Sequence, residues 1–131
     1  MKTIPEKFHD LLKDEIRAFL FLATTMKDGS PQVTPIWFNH DDEHILINSA
    51  KGRVKDRNMR ARPKVAFVIQ DPADPYRYIQ IRGKVAAITE EGGLEHIKAL
   101  AQKYTGKPWR GNSPEEVRVI YKILPENTDS H

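Results

Sequence analysis

The sequence predicts a mostly β protein: an antiparallel barrel of six to seven strands, closed or half-closed, with flanking helices. Three observations carry this. The apolar segments "AFLFLATT", "VAFVIQD" and "VRVIYKILP" are too short for ordinary helices. Turn sequences such as "KDGS" and "HDDE" join neighbouring strands tightly, which favours antiparallel pairing. Only two longer stretches repeat apolar residues at helical spacing.

Taken in order, residues 4–17 read as a helix with Ile4, Phe8, Leu11, Leu12 and Ile16 on one face. Residues 18–25 form a continuous apolar run, the pattern of a strand buried on both sides. The Asp-Gly turn at Lys27 to Ser30 returns the chain as "QVTPIWFN". Pro35 has no N–H for a ladder, so an edge, a bulge or a ligand lies beside it. Trp37 points opposite to Ile36 and Phe38, towards barrel core or dimer interface. "HILINSA" is the third strand, a short helix follows, and "VAFVIQD" is the next strand. The rigid link "DPADP" leads into "YRYIQIRGKVAAIT", which Gly83 is expected to bend. Leu94, Ile97, Leu100, Ala101 and Tyr104 stripe a second helix that stops at Gly106. Residues 117–125 make the last strand, and residues 126–131 are expected to fray. One domain spans residues 1–131.

Composition narrows the function. With 39% hydrophobic and 30% charged residues the chain is ordinary for a soluble globular protein. It has no cysteine, which excludes disulfides, thiol nucleophiles and cysteine-ligated metals. The N-terminus lacks an apolar signal core, and no apolar run approaches the roughly 20 residues that span a bilayer. A cytoplasmic protein without a membrane partner is expected. The sequence pI of about 9.2 raises nucleic-acid binding, but the charge is concentrated. "KGRVKDRNMRARPK" (Lys51 to Lys64) holds seven of the 21 Lys and Arg, and elsewhere acids outnumber bases 17 to 14. Nucleic-acid grooves need longer basic stripes, and single-strand binders need interleaved aromatics, which this stretch lacks. Nucleic acid is therefore not an expected partner.

A compact anion suits the stretch better. A helix starting just after Gly52 would aim its free N–H groups and positive dipole end at a phosphate beside Ser49, Lys51, Arg53 and Lys55. Asn58 adds a further donor, and Arg53, Arg57 and Arg60 share one helix face. On spacing alone a solvated charged face stays open. Other signals carry less. "HDDEH" (His40 to His44) matches a metalloprotease pattern that needs a helix, but here it bridges two strands, so no metal site is expected. His9 and His96 read as solvated helix residues. Trp109 reads as a plug over the core or as part of a substrate mouth.

The order and spacing of "DGSPQVTP", "ILINSAKGRVKDRN", "DPYRYIQIRG" and "EVRVIYKILPE" resemble the pyridoxamine-phosphate-oxidase-like family of flavin- or deazaflavin-binding split β-barrels, from about Leu11 to Glu126. The branch resembled is the F420 (deazaflavin) dependent oxidoreductases. The resemblance implies a split barrel, a homodimer with cofactor sites at the subunit interface, and hydride transfer to a small conjugated substrate. It implies a phosphate site at Ser49, Lys51, Arg53, Lys55 and Asn58, and a ring lying along Gln32, Val33, Thr34 and Pro35. Tyr76, Arg77 and Tyr78 match the segment given by the partner subunit. No acid–base residue is nominated, because such chemistry belongs mostly to the cofactor. F420 is favoured over FMN because Arg57, Arg60, Arg62 and Lys64 could screen its acidic tail. An FMN-dependent oxidoreductase and a non-catalytic flavin or F420 carrier are the alternatives.

Overall fold

A computed structural model describes residues 1–111 and 114–130. Asn112, Ser113 and His131 lie outside the described residues, and with them the middle of the "GKPWRGNSP" loop and the end of the expected tail. Seven strands form one sheet: β1 (Phe19–Thr25), β2 (Pro31–Ile36), β3 (Phe38–His40), β4 (Ile45–Ala50), β5 (Lys64–Asp71), β6 (Asp74–Thr89) and β7 (Arg118–Ser130). Helix α1 (Val54–Ala61) follows β4, and α2 (Gly93–Thr105) follows β6. The spatial order is β2-β1-β5-β6-β7-β4-β3. Every neighbouring pair is antiparallel.

This order has a topological consequence. β2 and β3 are the two ends of the sheet, yet only Trp37 separates them in the chain. The sheet therefore curls until its first and last edges meet at Trp37, as a split barrel. Its concave face holds Leu20, Leu22, Phe38, Ile45, Ile47, Phe67, Ile69, Ile79, Ile81, Val119, Tyr121 and Ile123, all essentially inaccessible. The pattern "QVTPIWFN" suggests one strand where the structure has two, β2 and β3. They separate because the chain leaves β1 at Ile36 and takes up β4 at Phe38.

Helix α2 closes the seam. The Lys103 ammonium donates to the Phe38 carbonyl at 2.7 Å. The Tyr104 hydroxyl donates to the Ala18 carbonyl at 2.5 Å and accepts from the Phe38 N–H at 3.4 Å. Edge backbone that would otherwise be buried without partners is thus satisfied from the helix. Gly106, at φ +69°, ends α2 in the left-handed region as its position predicts.

Three expectations need correction. Residues 6–12 and 14–16 are 3-10 rather than α-helical, with i→i+3 bonds such as Phe8 N–H to Pro5 C=O. A stripe with spacings of three and four fits either helix, and Phe8, Leu11 and Leu12 are still buried. β1 is buried on one face only: Leu20 and Leu22 face the core, while Phe19 and Phe21 are 45% and 36% exposed. Residues 126–130 are not frayed, since β7 runs to Ser130 and pairs with β6 as far as Ile79.

Gly83 lies at a register shift between β6 and β7, an irregularity of the kind its place in the strand suggests. A Cβ there would stand 2.4 Å from the Leu124 carbonyl oxygen, a backbone atom that cannot yield. Gly83→Ala should therefore cost about 1–3 kcal/mol of stability, read as a lower midpoint in urea unfolding.

Candidate functional site

A cleft of about 290 Å³ opens at the seam where the sheet edges meet. Its apolar walls are Phe19, Pro35, Ile36 and Trp37 from the strands, Ile97 and Leu100 from α2, and Trp109 from the following loop. Trp37 stacks on Tyr104 (5.4 Å between centroids, 5° between planes), and Trp109 meets Trp37 edge-on at 6.4 Å. The polar end is built from Asn48, Ser49, Arg53, Lys55 and Arg118.

Local structure explains that end. Ser49 lies one residue before the end of β4, and Gly52 turns the chain at φ +94°, where a Cβ would be strained. Arg53 is the N-cap of α1 and makes no side-chain capping bond, so the first N–H groups of the helix lack a side-chain acceptor. Asp56 pins the loop from within. It accepts from Gly52 N–H (2.8 Å), Arg60 Nε (2.9 Å) and the Tyr121 hydroxyl (2.5 Å). Burial pushes the Asp56 carboxyl up, but these bonds outweigh it and hold it below the ordinary carboxylate range.

The cations of the cleft exceed their counter-charges. Arg53 Nη2 and Arg118 Nη1 both donate to Glu116 Oε1, at 2.9 and 3.1 Å. Lys55 has no carboxylate partner among the described residues, and burial together with the Arg53 and Arg118 charges pulls its ammonium below the usual lysine value. Ser49 Oγ is buried with no hydrogen-bond partner among the described residues. An orphaned hydroxyl, an unpaired ammonium and an uncapped helix start all fit an anionic group such as a phosphate.

The residues expected from sequence divide. Pro35, Ser49, Arg53 and Lys55 line this one cleft. Gln32, Val33 and Thr34 continue along β2, an edge strand, which is where a proline such as Pro35 is tolerated in a sheet. Lys51 lies outside the cleft and pairs with Glu90 at 2.9 Å. Asn58 is buried, and its amide donates to Thr24 Oγ1 and Met26 Sδ, so it serves the core rather than the cleft. Arg60 is held by Asp56, and Arg62 by the Thr25 carbonyl and Asn58. Tyr76 is 87% exposed at the start of β6. Arg77 ties that hairpin to the N-terminal turns through Asp10 and the Lys7 carbonyl, and bonds Asp71 within the hairpin. Tyr78 follows it, half-buried, on β6.

Two side chains escaped the sequence reading. Arg118 sits on the even-numbered face of β7, which looks solvated by strand alternation but is covered by α2. His96 is buried, not solvated, because it lies three residues from Gly93 and four from Leu100 on the packed side of α2. That spacing was the available signal. Among the described residues no group of three or more His, Asp or Glu could hold a metal ion, and no helix is long and apolar enough to cross a membrane.

A family model described as pyridoxamine 5'-phosphate oxidase matches residues 4–130. The chain belongs to the pyridoxamine 5'-phosphate oxidase family. Similar solved structures within this fold include an F420 reductase, 33% identical with a TM-score of 0.85, covering 96% of this chain and 98% of that one. A conserved hypothetical protein from Mycobacterium tuberculosis is 26% identical (TM-score 0.73, covering 97% and 84%). General Stress Protein 26 from Bacillus anthracis, at 20% identity and TM-score 0.66 over 92% and 91%, shares the fold. The family's split barrel is thus the fold of this chain.

Burial, with the Arg118 charge second, lowers the His96 pKa to about 4. Unfolded, the same imidazole takes up its proton near pH 6.5. The folded state therefore binds fewer protons in between, and the stabilisation present above pH 6.5 is lost as pH falls towards 4. The expected slope is about 1.4 kcal/mol per pH unit for one proton. Urea unfolding at stepped pH should show it in the wild type, and His96→Gln should remove it.

Proposed function

We propose that the protein is an oxidoreductase that binds a phosphate-bearing tricyclic cofactor, coenzyme F420 by preference, and transfers a hydride between it and a small conjugated substrate. The observation that carries this reading is the cation excess around Ser49, Arg53 and Lys55 at the uncapped start of α1. Those residues would hold the phosphate, and the edge of β2 at Pro35 would support the ring. When bound, the cofactor supplies the hydride chemistry, while the chain binds, orients and excludes water. Among the described residues lining the cleft there is no carboxylate or imidazole, so no proton carrier is assigned.

The F420 preference is supported by the 33% identical F420 reductase, which matches along nearly the whole of both chains. FMN is the second reading, and a specific observation favours it: Arg60 is paired with Asp56, and Arg62 is held by the Thr25 carbonyl and Asn58, leaving Arg57 and Lys64 to meet an acidic tail. Titration with both cofactors under one buffer ranks them, and a hydride-transfer assay with the bound cofactor separates an enzyme from a carrier. Arg53→Ala/Lys55→Ala should remove two charge-assisted bonds and weaken either cofactor by roughly a hundredfold or more. Unchanged affinity would remove the phosphate cradle.

The same reading includes a homodimer. The outer face of the sheet carries Phe19, Phe21 and Val33, the last 65% exposed, and Phe21 and Val33 flank the β1–β2 pairing near the cleft. A second copy would cover this apolar face and bring its exposed Tyr76 towards the site. Light scattering should give about twice 15.1 kDa for the wild type. Phe21→Glu should give monomer, because an unpaired charge cannot be buried in such a contact.

A further inference from the structure

We propose that Arg118 is a further anion-binding residue of the cleft, preset by a chain of hydrogen bonds through Asn48, His96 and Asn39. This rests on the phosphate reading above and adds a residue and its positioning device to it.

Donor and acceptor chemistry fixes the chain. Arg118 Nε can only donate, and it lies 2.9 Å from Asn48 Oδ1, so that atom is the amide oxygen. Asn48 Nδ2 then spends its two N–H bonds on the Gly93 carbonyl (2.9 Å) and on His96 Nδ1 (3.0 Å). His96 Nδ1 must accept, so the ring proton sits on Nε2, which donates to Asn39 Oδ1 at 2.8 Å. Each step has one consistent orientation, and Asn48, His96 and Arg118 are all buried. The chain thus runs from β3 through α2 and β4 to β7.

The guanidinium at its end is constrained three ways. Nε is held by Asn48, Nη1 by Glu116, and the group lies 5.3 Å from the Trp109 ring centroid. Nη2 has no hydrogen-bond partner among the described residues, and Arg118 lines the same cleft as Ser49 and Lys55. A pre-ordered guanidinium forfeits little freedom on binding, so its free donor is worth more to an anion than that of a mobile surface arginine. Gly93 helps hold α2 in place: a Cβ there would stand 2.1 Å from the Arg118 carbonyl oxygen.

The test compares FMN with riboflavin, which share the ring and chain but differ in the phosphate. Fluorescence titration of the full-length protein gives both affinities, and their ratio isolates the anion contribution. In Arg118→Leu, FMN affinity should fall roughly tenfold or more while riboflavin affinity stays unchanged. His96→Leu leaves one Asn48 N–H and Asn39 Oδ1 without their His96 partner and should lower the ratio several-fold. His96→Gln can accept from Asn48 and donate to Asn39, and should restore it. Nitrogen NMR of the wild type should show the Nε2–H tautomer of His96. A purely structural role would lower the melting temperature in His96→Leu without moving the ratio, and that result overturns the proposal. So does a wild-type ratio in Arg118→Leu, or the Nδ1–H tautomer should Arg118→Leu fail to fold. A wild type that binds FMN no better than riboflavin overturns the phosphate reading, and this inference with it.

Discussion

The structure depends on the hand-over at Trp37, where the chain passes from one end of the sheet to the other. A curled sheet has two edges, and each carries backbone groups that need partners. Here the edges meet without pairing, and α2 supplies the missing bonds through Lys103 and Tyr104. Because those side chains reach the seam, the strands need not close, and a cleft is left beside Trp37. The Trp37–Tyr104 stack and Trp109 then give it aromatic walls. Fold closure and site construction are consequences of the same gap.

Charge gives the cleft its chemistry. Three cations line it, and the nearby Glu116 is bonded to two of them. The remaining positive charge is held close to buried surface, where screening by water is weakest. Asp56 forms its ion pair with Arg60 rather than with these cations, and its oxygens are committed to Gly52, Arg60 and Tyr121. One carboxylate therefore shapes the loop while the cations beyond it stay available. An anion entering the cleft would relieve the mutual repulsion of Arg53, Lys55 and Arg118.

Much of the fold was legible because its signals are local. The Asp-Gly turn, the Pro35 edge, the Gly83 irregularity and the Gly106 stop each follow from one residue's backbone constraints. The start of α1 was legible for the same reason, and it located Ser49, Arg53 and Lys55. What escaped depends on distant packing. The charge of Arg60 and Arg62 was visible, but not their internal partners Asp56 and Thr25. Asn58 resembles a surface donor until β1 places Thr24 against it. Arg118 is concealed by strand alternation, which assumes solvent where α2 packs, whereas the burial of His96 follows from its spacing to Gly93 and Leu100 on α2. The bare outer face of β1 is a similar case: an apolar run shows that its residues favour burial, but not that one face of the strand is left exposed.

The most direct measurement is a crystal structure of the protein with its preferred cofactor bound. The phosphate is expected against Ser49 Oγ, Arg53 and Lys55 at the start of α1, with the ring beside Pro35. A larger recess of about 480 Å³ lies between β1, β5 and β6, lined in part by Lys64 and Arg82. A phosphate found there, with the α1 cleft empty, would contradict the assignment of the site.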